Sequence, residues 1–580
     1  MRTFQNVMSP MRDGVKLACN IFLPDEEGAY PAILLRTPYI KEKIDPRDLY
    51  ANYEELTNSG YAVIFQDARG TGMSEGFMDA TGASEINDGY DTIEWVGAQP
   101  WCNGSVGTHG LSYFGYDQMA AAENNPPSLK AMCPFQNGAV LPFSMSHAGT
   151  YDRYHLAWIM GRAQENLERW IPDEAAREKT AAKLKDYLDR WDEVMDQLPA
   201  VDTPCARIEG LPQLQSYIEL VKGIEDKHFM DRAHRPIAID GIKAPMLLLT
   251  GWFDGAKEGT LDNWKMATGN GAGSENRKLV IGPWLHGGFL NTKIEDMDFG
   301  EENSGAGREI RQLEKRWFDC WLKGDRDAIQ DIPPVQYYVI GENTWRVSDA
   351  WPPKEAVLKH FYLHSQEQGR FGQLTEAAPT QEPVQTYAYD PMKPVSSKYQ
   401  DSQGRVLFAD HTQEQQERED ILVYSTDPLS EPLRIVGKVQ VKLWVSSDAP
   451  DTDFVARLYM VNREGRQIPL LNGITRCRFR NGEKVEMMEA GQVYCLNVDL
   501  GDIAVMVPQG AKIVLDITSS LYPAHDRNLN TEDRIGFGTE MRVAHNTVWH
   551  TGVQGSQLLL PVLDDSERIS YTTVHPGWRK

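Results

Sequence analysis

Gly110-Leu111-Ser112-Tyr113-Phe114-Gly115 holds a serine between two glycines, just ahead of a helix-forming run, YDQMAAAENN. A serine hydroxyl becomes a nucleophile when a tight turn exposes it and a nearby base takes its proton. Flanking glycines let neighbouring backbone come close, and a following helix aims N–H groups at any negative charge that develops. The run VGTHGLS at 106–112 reads as a strand entering that turn. One spacing is irregular: the second glycine stands three residues after Ser112, where the generic elbow has it at two. Taken alone, the motif reads equally well as an ordinary strand-to-helix turn.

Two further residues supply the base and its orienting acid. Asp254 ends the run LLLTGWFD in 247–254, and His286 leaves the apolar run LVIGPWL at 279–285. Acids and bases at the carboxyl ends of strands sit where α/β folds bind ligands. Each has a bland reading, Asp254 as a helix cap and His286 as a structural histidine. Their chain order, Ser112, Asp254, His286, is that of a serine-hydrolase triad. Other motifs do not compete. His286-Gly287-Gly288 follows the nucleophile, whereas the His-Gly-Gly oxyanion loop of lipases precedes it. GTGMSEG at 70–76 misses the dinucleotide glycine spacing, and GNGAGS at 269–274 lacks the lysine of a phosphate loop. No His/Glu cluster has metalloprotease spacing, so neither metal nor organic cofactor is expected.

The elements that must position these residues read as follows. β-rich runs at 15–23, 31–36, 61–66, 106–111 and 129–135 alternate with helix patterns at 83–98 and 113–124, which predicts a mainly parallel, doubly covered sheet. Between about 145 and 240 the period changes. Leu184, Tyr187, Leu188, Trp191, Val194, Met195 and Leu198 mark one stripe on a long helix, and Leu214, Tyr217, Ile218 and Val221 repeat it. Strands return at 245–250 and 278–283, and a helix over 306–323 is capped by Gly324. From about 330 the chain reads as all β. Val439, Val441, Leu443 and Val445 alternate with polar neighbours, as do Phe454, Ala456, Leu458 and Met460, then Ile513, Leu515 and Ile517. A two-sheet sandwich is expected, with 365–420 as surface excursions.

Composition narrows the class. The chain has 580 residues, 41% of them apolar and 24% charged, with a formal charge of 59 − 83 = −24. That balance repels nucleic acid, and no run of roughly 18 apolar residues would span a bilayer. The first residues, MRTFQNVMSPMRDG, lack a secretory pattern, and seven scattered cysteines without a Cys-x-x-Cys pair suit a reducing cytoplasm. A small-molecule substrate is the expected partner, and assembly into a homo-oligomer is left open.

With these residues in hand, the sequence resembles the cocaine esterase and X-Pro dipeptidyl-peptidase-like family of serine hydrolases. GLSYFG looks like that family's Gly-x-Ser-Tyr-x-Gly, which accounts for the displaced glycine. GWFDG (251–255), GPWLHG (282–287), QDARGTGMSEG (66–76), RWFDCWLKG (316–324), LVYSTDPL (422–429), DRNLNT (526–531) and NTVWH (546–550) are similar to its other segments. The resemblance implies an α/β-hydrolase domain over 1–144 and 241–328, a helical cap over 145–240, and a jelly-roll sandwich over 329–580. It implies that Ser112, Asp254 and His286 are catalytic. It also implies an oxyanion hole made by the hydroxyl of Tyr39, in RTPY (36–39), and the backbone N–H of Tyr113. Carboxylic ester hydrolysis is the expected activity, with X-Pro dipeptidyl-peptidase or acylase action on amides as the alternative. Phe114 stands where related α-amino ester hydrolases carry a glutamate, which weighs against amine-directed acylation. A carbohydrate-binding or scaffolding role for the sandwich has no independent support.

Overall fold

The computed structural model describes residues 1–44, 52–78, 82–138, 149–150, 153–208, 210–226, 237–269, 271–289, 292–294, 297–365, 369–397, 411–482, 484–550 and 555–564. Ten strands make the first sheet: β1 (Arg2–Pro10), β2 (Lys16–Leu23), β3 (Tyr30–Thr37), β4 (Ala62–Asp67), β5 (Cys102–Leu111), β6 (Leu129–Phe135), β7 (Met246–Phe253), β8 (Arg277–Leu285), β9 (Val335–Val339) and β10 (Thr344–Ser348). Their order is β1-β2-β4-β3-β5-β6-β7-β8-β9-β10. The stretch from β4 to β9 is parallel, and antiparallel strands close both edges. Every residue of β4, β7 and β9 is buried, so these strands are mostly apolar along their length rather than alternating.

Helices pack closely on this sheet because glycines let them. A Cβ at Gly107 of β5 would lie 2.7 Å from the ring of Phe318, on the helix Ile310–Lys323. That helix starts four residues later than its sequence pattern suggests and ends, as expected, at Gly324 in the left-handed region. It buries Trp317 completely. Burying about 200 Å² of indole at ~25 cal/mol/Å² is worth about 5 kcal/mol before entropy is counted.

The insertion between β6 and β7 carries the helices Arg153–Glu165, Leu167–Trp170, Glu174–Asp189, Trp191–Met195 and Pro212–Gly223. They share their own core, including Leu156, Ile159, Met160, Leu184, Val194, Leu214, Ile218 and Val221. The single long helix expected over 184–198 is two: the chain leaves helical geometry at Arg190 (φ −109°, ψ 32°). Val194 and Met195, past the break, are still buried in the cap core. The side chain of Tyr217 lies outside the described residues.

Eleven strands, from Val357–Ser365 to Gln557–Val562, form the second unit, an all-β jelly roll. The 15-residue strand Leu433–Ser447 joins its parts. It pairs along one edge with Tyr494–Val507, and on the other first with Gln557–Val562 and then with Ala544–Trp549. Three expectations are corrected here. The sheet of the first unit does not end by residue 328, because β9 pairs parallel with β8 through Leu279, Val280 and Ile281. Every residue of its run VQYYV is buried, as in a strand covered on both faces. Second, Asp453–Val461 and Lys512–Thr518 are not half-buried, since almost every residue of both is buried. Third, their outer face is covered by part of the supposed surface excursion. Helix Thr412–Glu417 brings Gln415 to Asp516 at 3.0 Å and Glu414 to Arg457 at 3.1 Å. In the same excursion Phe371–Thr375 and Gln385–Tyr389 are sheet strands, with Tyr387 and Tyr389 buried. Residues 398–410 lie outside the described residues.

Candidate active site

Six adjacent parallel strands each deliver a polar side chain at the carboxyl edge of the sheet. Tyr39 follows β3, Asp67 ends β4, Ser112 follows β5, Gln136 follows β6, Asp254 follows β7 and His286 follows β8. β7 and β8 run three and two residues further than their apolar cores at 245–250 and 278–283 suggest, so Asp254 and His286 come directly off strand ends.

Ser112 caps the helix Tyr113–Ala122 with φ 62° and ψ −124°, a backbone geometry that costs a non-glycine residue on the order of 1–3 kcal/mol. The surroundings hold it there. Its N–H donates to the Phe135 carbonyl at 3.0 Å, and its carbonyl accepts from Gly115 and Tyr116 at 2.9 and 3.0 Å. The displaced glycine has a plain reason. A Cβ at Gly115 would sit 2.7 Å from the Phe135 carbonyl oxygen and 2.8 Å from the Asn137 Cβ. At Gly110 (φ +137°) it would meet the Phe114 Cβ at 2.4 Å. Phe114 occupies the position of the generic glycine and is buried against Tyr39 and Phe65, at ring separations of 5.5 and 6.2 Å.

The three residues singled out by strand-end position are hydrogen-bonded in a row. His286 Nε2 lies 2.9 Å from Ser112 Oγ, and His286 Nδ1 lies 2.7 Å from Asp254 Oδ1. Asp254, with no side-chain exposure, also accepts from the Ala256 N–H at 2.8 Å and the Thr250 hydroxyl at 2.9 Å. These bonds fix the carboxylate so that it fixes the ring. About a third of the His286 side chain (35%) is exposed. Burial pulls its pKa down, but the charge of Asp254 and their hydrogen bond outweigh that, and the pKa ends above the usual histidine value. A serine hydroxyl on such an imidazole can be deprotonated as it attacks.

Tyr39 faces this row. Its hydroxyl is within hydrogen-bonding reach of Ser112 and of the Trp158 indole, while burial raises its pKa. The turn that carries it is pinned by a buried ion pair. Lys41 Nζ reaches Asp67 Oδ2 at 2.7 Å and the Lys41 N–H reaches Oδ1 at 2.8 Å. The segment GTGMSEG wraps that carboxylate: Met73 N–H donates to it at 3.0 Å, and a Cβ at Gly72 would lie 2.3 Å from Oδ2. Its glycines serve close approach to an aspartate. Tyr113 is the first residue of the elbow helix, so its N–H stands at the helix N-terminus, and its hydroxyl donates to buried Glu85 at 3.0 Å. Glu85 in turn pairs with Arg36 of RTPY at 2.5 Å.

One residue at this edge escaped the sequence reading. Gln136 is fully buried with φ 46°, and its amide brackets the histidine. Nε2 donates to the Leu285 carbonyl at 2.9 Å, and Oε1 accepts from the Gly287 N–H at 2.8 Å. Its place directly after an apolar strand was the available signal. Among the described residues, no group of three or more His, Cys, Asp or Glu side chains could hold a metal ion.

Residues 13–288 match the family model of the X-Pro dipeptidyl-peptidase (S15 family), and residues 327–559 that of the X-Pro dipeptidyl-peptidase C-terminal non-catalytic domain. The chain is 32% identical to cocaine esterase of Rhodococcus sp. (strain MB1 Bresler), over 96% of this chain and 98% of that one. The chain belongs to the cocaine esterase and X-Pro dipeptidyl-peptidase-like family of serine hydrolases. Its fold is shared with a crystal structure of an aminopeptidase from a marine sediment Thaumarchaeota archaeon, at TM-score 0.72, 25% identity and coverage of 97% and 96%. An α-amino acid ester hydrolase superposes equally well, at TM-score 0.72 and 24% identity over 97% of this chain and 96% of that one. As a member of this family the chain is a hydrolase of ester or amide bonds. Among the described residues no helix is long and apolar enough to cross a membrane.

Proposed function

We propose that the chain hydrolyses carboxylic esters of small molecules through an acyl-enzyme on Ser112. The observation that carries this is the unbroken hydrogen-bonded row Ser112 Oγ, His286 Nε2, His286 Nδ1, Asp254 Oδ1. His286 Nε2 takes the hydroxyl proton as Oγ attacks the ester carbonyl carbon. Asp254 keeps Nδ1 protonated and stabilises the imidazolium. The oxyanion receives hydrogen bonds from the Tyr39 hydroxyl and the Tyr113 N–H, the latter favoured by its place at a helix N-terminus. His286 then gives its proton to the departing alcohol. Water, deprotonated by the same ring, releases the acid.

The near full-length similarity to a cocaine esterase favours esters, as does apolar Phe114 inside the elbow. Amide cleavage is the second reading, favoured by the aminopeptidase of the same fold. Cytoplasmic residence is supported by all seven cysteines being free, six of them buried. The net charge of −24 supports small molecules rather than nucleic acid or an anionic membrane as partners. Homo-oligomer formation is left to sizing by light scattering.

The test is labelling by a fluorophosphonate, with Ser112→Ala expected to abolish it and to lower turnover on the order of 10⁶-fold. Near-normal rates in Ser112→Ala would overturn the assignment. Faster cleavage of Gly-Pro-p-nitroanilide than of p-nitrophenyl acetate or butyrate would favour the amide reading. No labelling of the wild type would turn attention to the sandwich as a binding module.

A further inference from the structure

The cap helix Arg153–Glu165 sets Trp158 and Arg162 four residues apart, on one helical face, against the residues that frame Ser112. The Arg162 guanidinium carbon lies 4.6 Å from the centroid of the Tyr39 ring and 5.9 Å from that of Trp158. Trp158 meets Tyr39 edge-on at 6.3 Å and stacks on Tyr113 at 5.9 Å, with planes 18° apart. One turn of cap helix therefore packs on the rings of both residues assigned to the oxyanion. Arg162 Nη1 pairs with Glu165 at 2.6 Å, yet its Nε is buried without a hydrogen-bond partner. An ion pair three residues apart on one helix can form in open solvent. It gives no reason to bury the guanidinium on a tyrosine ring.

We propose that Arg162 is a positioning residue of the oxyanion hole, whose cation seats the Tyr39 ring against Ser112 and strengthens its hydroxyl as a hydrogen-bond donor. The inference rests on Ser112 being the nucleophile. As the oxyanion forms, the phenol shares its proton with it and the ring gains electron density. A cation over the ring face is then held more tightly than in the ground state, and only such differential interaction speeds the reaction. Glu165 opposes this, but its charge acts on Tyr39 less strongly than that of Arg162. The Trp158 indole lies within hydrogen-bonding reach of the same phenol oxygen.

The experiment measures second-order phosphonylation of the protein by a fluorophosphonate, and kcat and KM on p-nitrophenyl acetate. The proteins are wild type, Arg162→Met, Arg162→Lys, Glu165→Gln and Tyr39→Phe, with Arg162→Met also made in the Tyr39→Phe background. Arg162→Met is expected to slow phosphonylation and kcat roughly five- to tenfold with KM within about twofold, the scale of one partly buried cation–π contact. Arg162→Lys should stay within about twofold of wild type, and Arg162→Met should cost less than about twofold once Tyr39 is Phe. Glu165→Gln separates this from a structural ion pair, because releasing the cation should leave the rate unchanged or raise it. Equal losses from Arg162→Met in both backgrounds would overturn the proposal. So would a rise in KM with kcat unchanged, or a Glu165→Gln loss matching that of Arg162→Met at matched melting temperature. A wild type that fails to react would overturn the reading of Ser112 itself.

Discussion

Replacing Gln136 by Met keeps the length and apolar stem of a fully buried side chain and removes both bonds that bracket His286. The groups released are the Leu285 carbonyl and the Gly287 N–H, both in part-buried hydrogen bonds. Water can reach them, so each lost bond should cost near 1 kcal/mol, about 2 kcal/mol of folding stability in all. The catalytic cost should be larger. His286 stands 2.9 Å from Ser112 between the two residues that Gln136 ties down, and a misplacement of about 1 Å at a reacting group costs roughly 10²-fold. That corresponds to about 2.7 kcal/mol of transition-state stabilisation. The assay is kcat/KM on p-nitrophenyl acetate beside urea unfolding of the same samples. Gln136→Glu keeps the acceptor for Gly287 but buries a carboxylate against the Leu285 carbonyl, and should cost more stability than Met. If Gln136→Met loses stability while kcat/KM stays within about threefold, the amide only braces the fold and the positioning role is wrong.

Further outcomes are expected at His286 and at Lys41. Because Asp254 holds the His286 pKa above the usual value of about 6.5, wild-type kcat/KM should rise with pH through an acid limb above that value. Asp254→Asn should lower kcat about 10⁴-fold, as in the serine-protease triad, and shift the limb to lower pH because burial then acts alone; an unmoved limb would show that it reports another group. The same raised pKa stabilises the fold below about 6.5 and ceases to do so as pH rises through it, so the protonation that favours folding silences the base. Lys41→Met strands the buried Asp67 carboxylate and should cost about 3–5 kcal/mol in urea unfolding, partly restored by adding Asp67→Asn. A Lys41→Met protein within 1 kcal/mol of wild type would mean that backbone donors alone satisfy Asp67.

The hydrogen-bonded row was legible because a parallel strand is an apolar run with a defined end, and Ser112, Asp254 and His286 each stand just past one. Gln136 obeys the same rule, but a lone glutamine has no chemistry of its own to draw notice. Lys41 sits in IKEKID, which reads as solvated; its burial follows from Asp67, 26 residues on, and no local pattern encodes that pairing. Arg162 escaped for a related reason, since only the folded cap brings its helix over Tyr39. Arg457 is the counterpart in the sandwich. Its strand alternates like a half-buried one, and the outward arginine is covered only because Asp516 and Glu414 come from segments 59 and 43 residues away.

The continuation of the first sheet into β9 and β10 bears on how such proteins can be recombined. A polypeptide cut at residue 328 would leave β8, the strand that delivers His286, as a bare edge with its ladder open at Leu279, Val280 and Ile281. Unprotected edges template pairing with other chains, so such a fragment should aggregate rather than report a catalytic unit. The seam at which the sandwich could be exchanged lies between Ser348 and Val357, past the last strand of the first sheet. Grafting there moves the appendage without unpicking the sheet edge beside the histidine.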